Sequence, residues 1–121
     1  INLFQNDSWL VNMPERAEFK NKFGTQAPNE DYIVAAYKNF VATIREKYPN
    51  ASIICALGSM DATREGSPWP GYVQKALAQL NDPKMYAHFF PFKNNHGHPS
   101  VAEQQVMADS LIGFIEKTIK W

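Results

Sequence analysis

Ser52-Ile53-Ile54-Cys55-Ala56-Leu57, closed by Gly58, is the stretch that decides the fold. It is a short, continuous apolar run with two adjacent β-branched residues. A half-wet strand would alternate apolar and polar positions. This run does not, so it reads as a strand buried on both faces, the situation of a parallel sheet covered by helices.

Upstream, residues 30–48 form an amphipathic helix by pattern. Ile33, Tyr37, Phe40, Val41, Ile44 and Tyr48 recur at spacings of three and four and make one apolar stripe. Asn29 is placed to cap its start, Glu30 and Asp31 suit its positive end, and Pro49 stops it. Residues 58–70 hold Gly58, Gly66, Pro68 and Pro70 and read as a loop. Residues 71–81 suggest a helix with Tyr72, Val73, Ala76, Leu77 and Leu80 inward, ended by Asn81-Asp82-Pro83. The aromatic run Met85 to Phe92 reads as a second strand, with Pro91 limiting pairing near its end.

A polar loop, Lys93 to Pro99, leads into a last helix over 101–119 with Ala108, Leu111, Ile115 and Ile119 along one stripe. Ser100 and Glu103 match the S-x-x-E capping box. At the other end, Ile1 to Phe4 look like the end of a buried strand, followed by a long irregular segment over 5–29. Alternating strands and helices predict an α/β fold with a parallel sheet. In such sheets sites lie beyond the carboxyl ends of the strands, here at residues 5–9, 58–70 and 93–99.

The 121 residues are expected to form a single domain, 1–121. Twelve basic and twelve acidic residues cancel, and no lysine- or arginine-rich run marks a nucleic-acid partner. No stretch of about 18 apolar residues is available to span a membrane. Cys55 is the only cysteine, which excludes an internal disulfide and a cysteine-built zinc site. No cofactor is expected.

Gln5-Asn6-Asp7-Ser8-Trp9 follows the opening strand. An asparagine amide there can donate to a developing oxyanion, although asparagine and aspartate also form turns at strand ends. Asn95-His96-Gly97-His98-Pro99-Ser100 places His98 just before a capped helix, and histidine is the usual general base near neutral pH. A loop histidine on the surface is the plainer reading. His96 and His98 as metal ligands lack a neighbouring carboxylate. Ser59, in Gly58-Ser59-Met60-Asp61, stands outside any G-x-S-x-G elbow and reads as a turn residue. Trp9 and Trp69 are aromatic surfaces for a sugar ring, or else core.

Together these segments resemble the SGNH (GDSL-like) hydrolase superfamily. Phe4-Gln5-Asn6-Asp7 is similar to its G-x-N-D block, and Asn95-His96-Gly97-His98 to its D-x-x-H block. The pattern His98-Pro99 followed by Met107-Ala108-Asp109-Ser110-Leu111 is similar to its last helix. With Trp9, the resemblance is closest to bacterial carbohydrate esterases, including acetyl xylan esterases.

The resemblance implies a flavodoxin-like three-layer α/β/α fold, of which this chain is the C-terminal portion. It implies an acyl-ester hydrolase acting on an O-acetylated carbohydrate. By it Asn6 becomes an oxyanion donor and His98 the base. Asn95, where the family has aspartate, is a candidate orienter of His98, and Trp9 and Trp69 stay candidate substrate contacts by their place in the loops. Two departures stand out: Phe4 replaces a glycine and Asn95 an aspartate.

The serine-bearing block precedes these in the family and is expected outside this chain. Ile1 is accordingly read as a cut end, and the piece by itself as inactive. An exposed sheet edge predicts association with a second copy or with the missing N-terminal part. An extracellular or periplasmic location suits a carbohydrate esterase. The alternative reading is a non-catalytic α/β module that binds carbohydrate or a partner.

Overall fold

A computed structural model describes residues 1–120. The apolar run becomes β1 (Ile53–Leu57), and Met85–Phe89 becomes β2. They pair in parallel, Ile53 opposite Met85 through Leu57 opposite Phe89. The opening residues add a parallel bridge, Asn2 to Ala56, on the other edge of β1. There the Ile1 nitrogen donates to the Ile54 carbonyl at 2.8 Å, and Ala56 N–H donates to the Ile1 carbonyl at 2.6 Å. β1 is therefore held on both edges, which is why it is the most thoroughly buried segment.

Two further expectations hold. The first long helix spans Glu30–Lys47 and the second Trp69–Leu80. Asn29 Oδ1 accepts from Tyr32 N–H at 2.9 Å, so the cap is made as its sequence suggests. Two short helices precede them in the chain, so in order these are α1 (Gln5–Leu10), α2 (Ala17–Phe23), α3 (Glu30–Lys47) and α4 (Trp69–Leu80). α4 is the crossover that parallel pairing of β1 and β2 requires.

Side chains alternate across the strands and sort the core. Ile53 and Cys55, with Met85, Ala87 and Phe89, meet Val34, Tyr37 and Val41 of α3 and Val73 and Ala76 of α4. Burial pushes both the Tyr37 hydroxyl and the Cys55 thiol up, so both stay neutral in this core. Polar ties close the rim. Arg45 Nε pairs with Asp82 at 2.8 Å while its Nη1 donates to the Ala51 carbonyl at 2.7 Å, and Lys75 pairs with Glu30.

The opposite face carries α5 (Val101–Phe114), which widens into a π-helical turn over Ile115–Ile119. The capping box is present: Glu103 N–H donates to Ser100 Oγ at 3.3 Å and Ser100 N–H to Glu103 Oε2 at 2.7 Å. α5 touches the small parallel sheet through Phe114, which packs on Tyr86 and His88. No helix among the described residues is long and apolar enough to cross a membrane.

Several expectations are corrected. Residues 5–29 are not irregular throughout but hold α1 and α2. Both are too short to show periodicity, and α2 is anchored by one buried residue, Phe19. Phe40 and Tyr48 are exposed, and Val34 takes the inward place on α3 instead. The second strand ends at Phe89 rather than Phe92, ahead of Pro91. On α5, Ala108 faces solvent while Met107, Leu111 and Phe114 are half-buried, as are Ile115 and Ile119 of the π-helical turn.

Phe4 is the least expected backbone. Its φ of 75° lies in the left-handed region, which costs a non-glycine residue about 1–2 kcal/mol. Its ring offsets that cost by packing 4.7 Å from Tyr37 and 4.8 Å from Trp69, centroid to centroid. The conformation that a glycine would adopt without strain is here held by aromatic contacts.

Candidate functional site

The three segments that follow the strands lie at the carboxyl end of the sheet. A Cβ on Gly58 would lie 3.2 Å from the Gln5 side chain, so glycine there lets α1 close onto the exit of β1. Beyond β2 the pairing continues irregularly: Phe90 N–H donates to Leu57 O at 3.0 Å and Lys93 N–H to Ser59 O at 2.8 Å. The exits of β1 and β2 are thereby tied together, with α1 against the first.

Asn6 lies in the first turn of α1, not in a loop, and its side chain is exposed. His98 is exposed on the loop before α5. Neither makes a side-chain hydrogen bond among the described residues, which leaves the Asn6 amide and the His98 imidazole unengaged. Gly97, at φ 84°, supplies the left-handed turn just ahead of His98.

Asn95 is placed differently from the reading that paired it with His98. Its Oδ1 accepts from Lys93 Nζ at 2.5 Å, and its Nδ2 donates to Glu103 Oε1 at 2.6 Å. Both ends of the amide are thus engaged away from His98. Ser59 is buried, and its hydroxyl faces Met107 Sδ at 3.2 Å rather than any histidine, in keeping with a turn residue. Among the described residues no cluster of three histidine, cysteine or acidic side chains forms a metal site.

The two tryptophans line one cleft of about 310 Å³ together with Asn12, Asp61, Arg64 and Ser67. Their exposure separates them. Trp69 is 5% exposed, set against Phe4 and Tyr72, and so is mostly core. Trp9 is 39% exposed, with the Arg16 guanidinium 4.4 Å from its ring centroid.

Two residues escaped the sequence reading, and a third, Glu103, was read only as a helix cap. Lys93 is buried although it sits in a polar loop. Glu103 does more than cap α5: Ser100, through its backbone N–H and hydroxyl, with Asn95, holds its carboxyl below the usual range. His88 in β2 is buried against the Phe90 and Phe114 rings, with Ser110 Oγ 3.2 Å from its Nε2. Only Glu103 had a local signal, its position three residues after Ser100.

No family model matches the chain. Over 110 residues it is 32% identical to the cellulase/esterase CelE of Acetivibrio thermocellus, a match covering 84% of this chain and 14% of that one. A solved family two carbohydrate esterase from Clostridium thermocellum, in complex with cellohexaose, superposes with a TM-score of 0.69 at 32% identity, covering 84% of this chain and 34% of the other. The acetyl xylan esterase Est2A from the rumen bacterium Butyrivibrio proteoclasticus shares the fold, with a TM-score of 0.72 at 24% identity over 99% of this chain and 36% of that one. The chain therefore spans about a third or less of the relatives it matches, in their C-terminal part. The resemblance read from Asn6, His98 and the last helix is borne out as homology to carbohydrate esterases.

Proposed function

From this homology we propose that the chain is the histidine-bearing part of a serine esterase that deacetylates a carbohydrate. Its sheet and helices would be the C-terminal portion of a single three-layer, flavodoxin-like domain. The observation that carries the reading is an exposed, unengaged imidazole on the β2–α5 loop of a chain homologous to carbohydrate esterases.

In the reaction, His98 takes the proton of a serine hydroxyl supplied from outside residues 1–121. The serine oxygen attacks the acetyl carbonyl. The Asn6 amide donates to the oxyanion that develops there, and His98 returns the proton to the departing sugar alkoxide. Water, activated by the same imidazole, then releases acetate from the acyl-serine. Trp9, the more exposed of the two tryptophans, offers an apolar ring face for a pyranose, and Trp69 shapes the floor of the same cleft. Asn95 supports the loop rather than the ring of His98.

The test is hydrolysis of acetylated xylan by the longest natural chain carrying these residues, compared with its His98→Ala and Asn6→Ala variants. His98→Ala is expected to remove most of kcat. Asn6→Ala is expected to lower kcat by about 10²–10³ with little change in KM, as for loss of one oxyanion donor. Full activity in His98→Ala would sink the proposal. A second reading, a carbohydrate-binding module without catalysis, is favoured by the cellohexaose held by the Clostridium thermocellum relative. It predicts oligosaccharide binding that survives His98→Ala but not Trp9→Ala, with no acetate released.

A further inference from the structure

Lys93 is 8% exposed. A buried ammonium is costly unless its protons find acceptors. Among the described residues no carboxylate lies within ion-pair distance of it. Its acceptors both belong to Asn95: the backbone carbonyl at 3.1 Å and Oδ1 at 2.5 Å. The other end of the same amide donates to Glu103 Oε1 at 2.6 Å, and Glu103 Oε2 accepts from Ser100 N–H at 2.7 Å. One chain of charge-assisted bonds therefore runs from the entry of the loop at Lys93 to its exit at Ser100, and His98 lies between.

We infer that Lys93 and Glu103 are positioning residues for His98, joined by the Asn95 amide as a polar bridge. This rests on the reading of His98 as the base. The chemistry of the bridge explains the residue at its centre. Position 95 must accept from an ammonium and donate to a carboxylate at once, and a side-chain amide does both. An aspartate in that place still accepts from Lys93 but sets a second carboxylate against Glu103. The loop is also pinned by Lys93 N–H to Ser59 O at 2.8 Å, so the bridge aligns His98 with the exit of β1. His98 itself needs no side-chain partner: its place comes from the backbone on either side.

A polarity swap tests this. In the longest natural chain carrying residues 1–121, compare Asn95→Asp, Glu103→Gln and the double variant. The readouts are amide hydrogen exchange of residues 94–98, and kcat and KM on acetylated xylan. Asn95→Asp is expected to speed exchange about tenfold, the loss of one charge-assisted bond, and to lower kcat by a similar factor with KM unchanged. Glu103→Gln keeps the capping box and has the smaller effect.

In the double variant the donor and acceptor simply change places: the new amide on α5 donates to the new carboxylate in the loop. Both exchange and kcat then return to within about twofold of the unaltered protein. A double variant no better than Asn95→Asp, or an Asn95→Asp variant indistinguishable from the unaltered protein, overturns the bridge. Exchange that follows the swap while the unaltered protein releases no acetate overturns the esterase reading and leaves the bridge standing.

Discussion

The two faces of the sheet are built from alternate residues of the same strands, yet they are closed in different ways. On one face α3 and α4 bury Val34, Tyr37, Val41, Val73 and Ala76 almost completely. On the other, α5 has no fully buried residue and leaves Val101, Val106 and Ile112 in solvent. One face is held by apolar area. The other is held by particular contacts: the capping box, the bridge from Lys93 to Glu103, and His88 between two aromatic rings beside Ser110. The site loops fall on the seam between them. α1, the loop before α4 and the start of α4 line the tryptophan cleft, and α5 begins just after His98.

The difference implies unequal responses to substitution. The largest is expected at Trp69 on the dense side, where Trp69→Ala should cost about 3–5 kcal/mol by chemical denaturation. The matching truncation on the other face, Phe114→Ala, should cost less than half as much, since its ring is only half-buried. Equal losses would break the comparison. Trp9→Ala should stay within about 0.5 kcal/mol of the unaltered protein, as an exposed position does, so any loss of sugar binding there is not a loss of fold.

Next in size is the cap of α5. Ser100→Ala removes the hydroxyl that accepts from Glu103 N–H and should cost about 1 kcal/mol. If α5 depends on particular contacts, amide exchange along α5 should accelerate while α3 and α4 stay protected. Uniform acceleration would mean that the two faces unfold as one.

The smallest effect is expected on acidification. Burial holds the His88 imidazole below its ordinary value, and no charged group contributes to that shift. The fold favours the neutral ring. Its contribution is present above the unfolded value of about 6.5 and is lost as pH falls toward the lowered folded-state value. Thermal unfolding followed across that window should show α5 loosening on the acid side, and His88→Phe should flatten the dependence. A profile unchanged in His88→Phe would rule out this histidine as the cause.

Much of this was legible locally. Ile53 to Leu57 announced a strand buried on both faces, and Asn29, Ser100 and Glu103 announced helix starts that the structure keeps. The candidate segments around Asn6 and His98 were legible as stretches that follow strand ends by pattern alone. Other features were not. The exposure of Phe40, the half-burial of α5 and the short helices inside 5–29 depend on which surface faces them, and periodicity does not report that.

Sequence alone determined the two strands, the three long helices and their order, and the presence of an amide and an imidazole after strand ends. Those follow from spacing and from groups within a turn of one another. Tertiary structure decided the rest. It placed Phe4 in a left-handed conformation that the Tyr37 and Trp69 rings sustain. It assigned Trp69 mostly to the core and left Trp9 in solvent. It buried Lys93 beside Ser59 and so turned Asn95 away from His98 toward a lysine and a glutamate. Each of these outcomes depends on partners distant in the chain, and a buried charge or a strained backbone is tolerated only where such partners satisfy it.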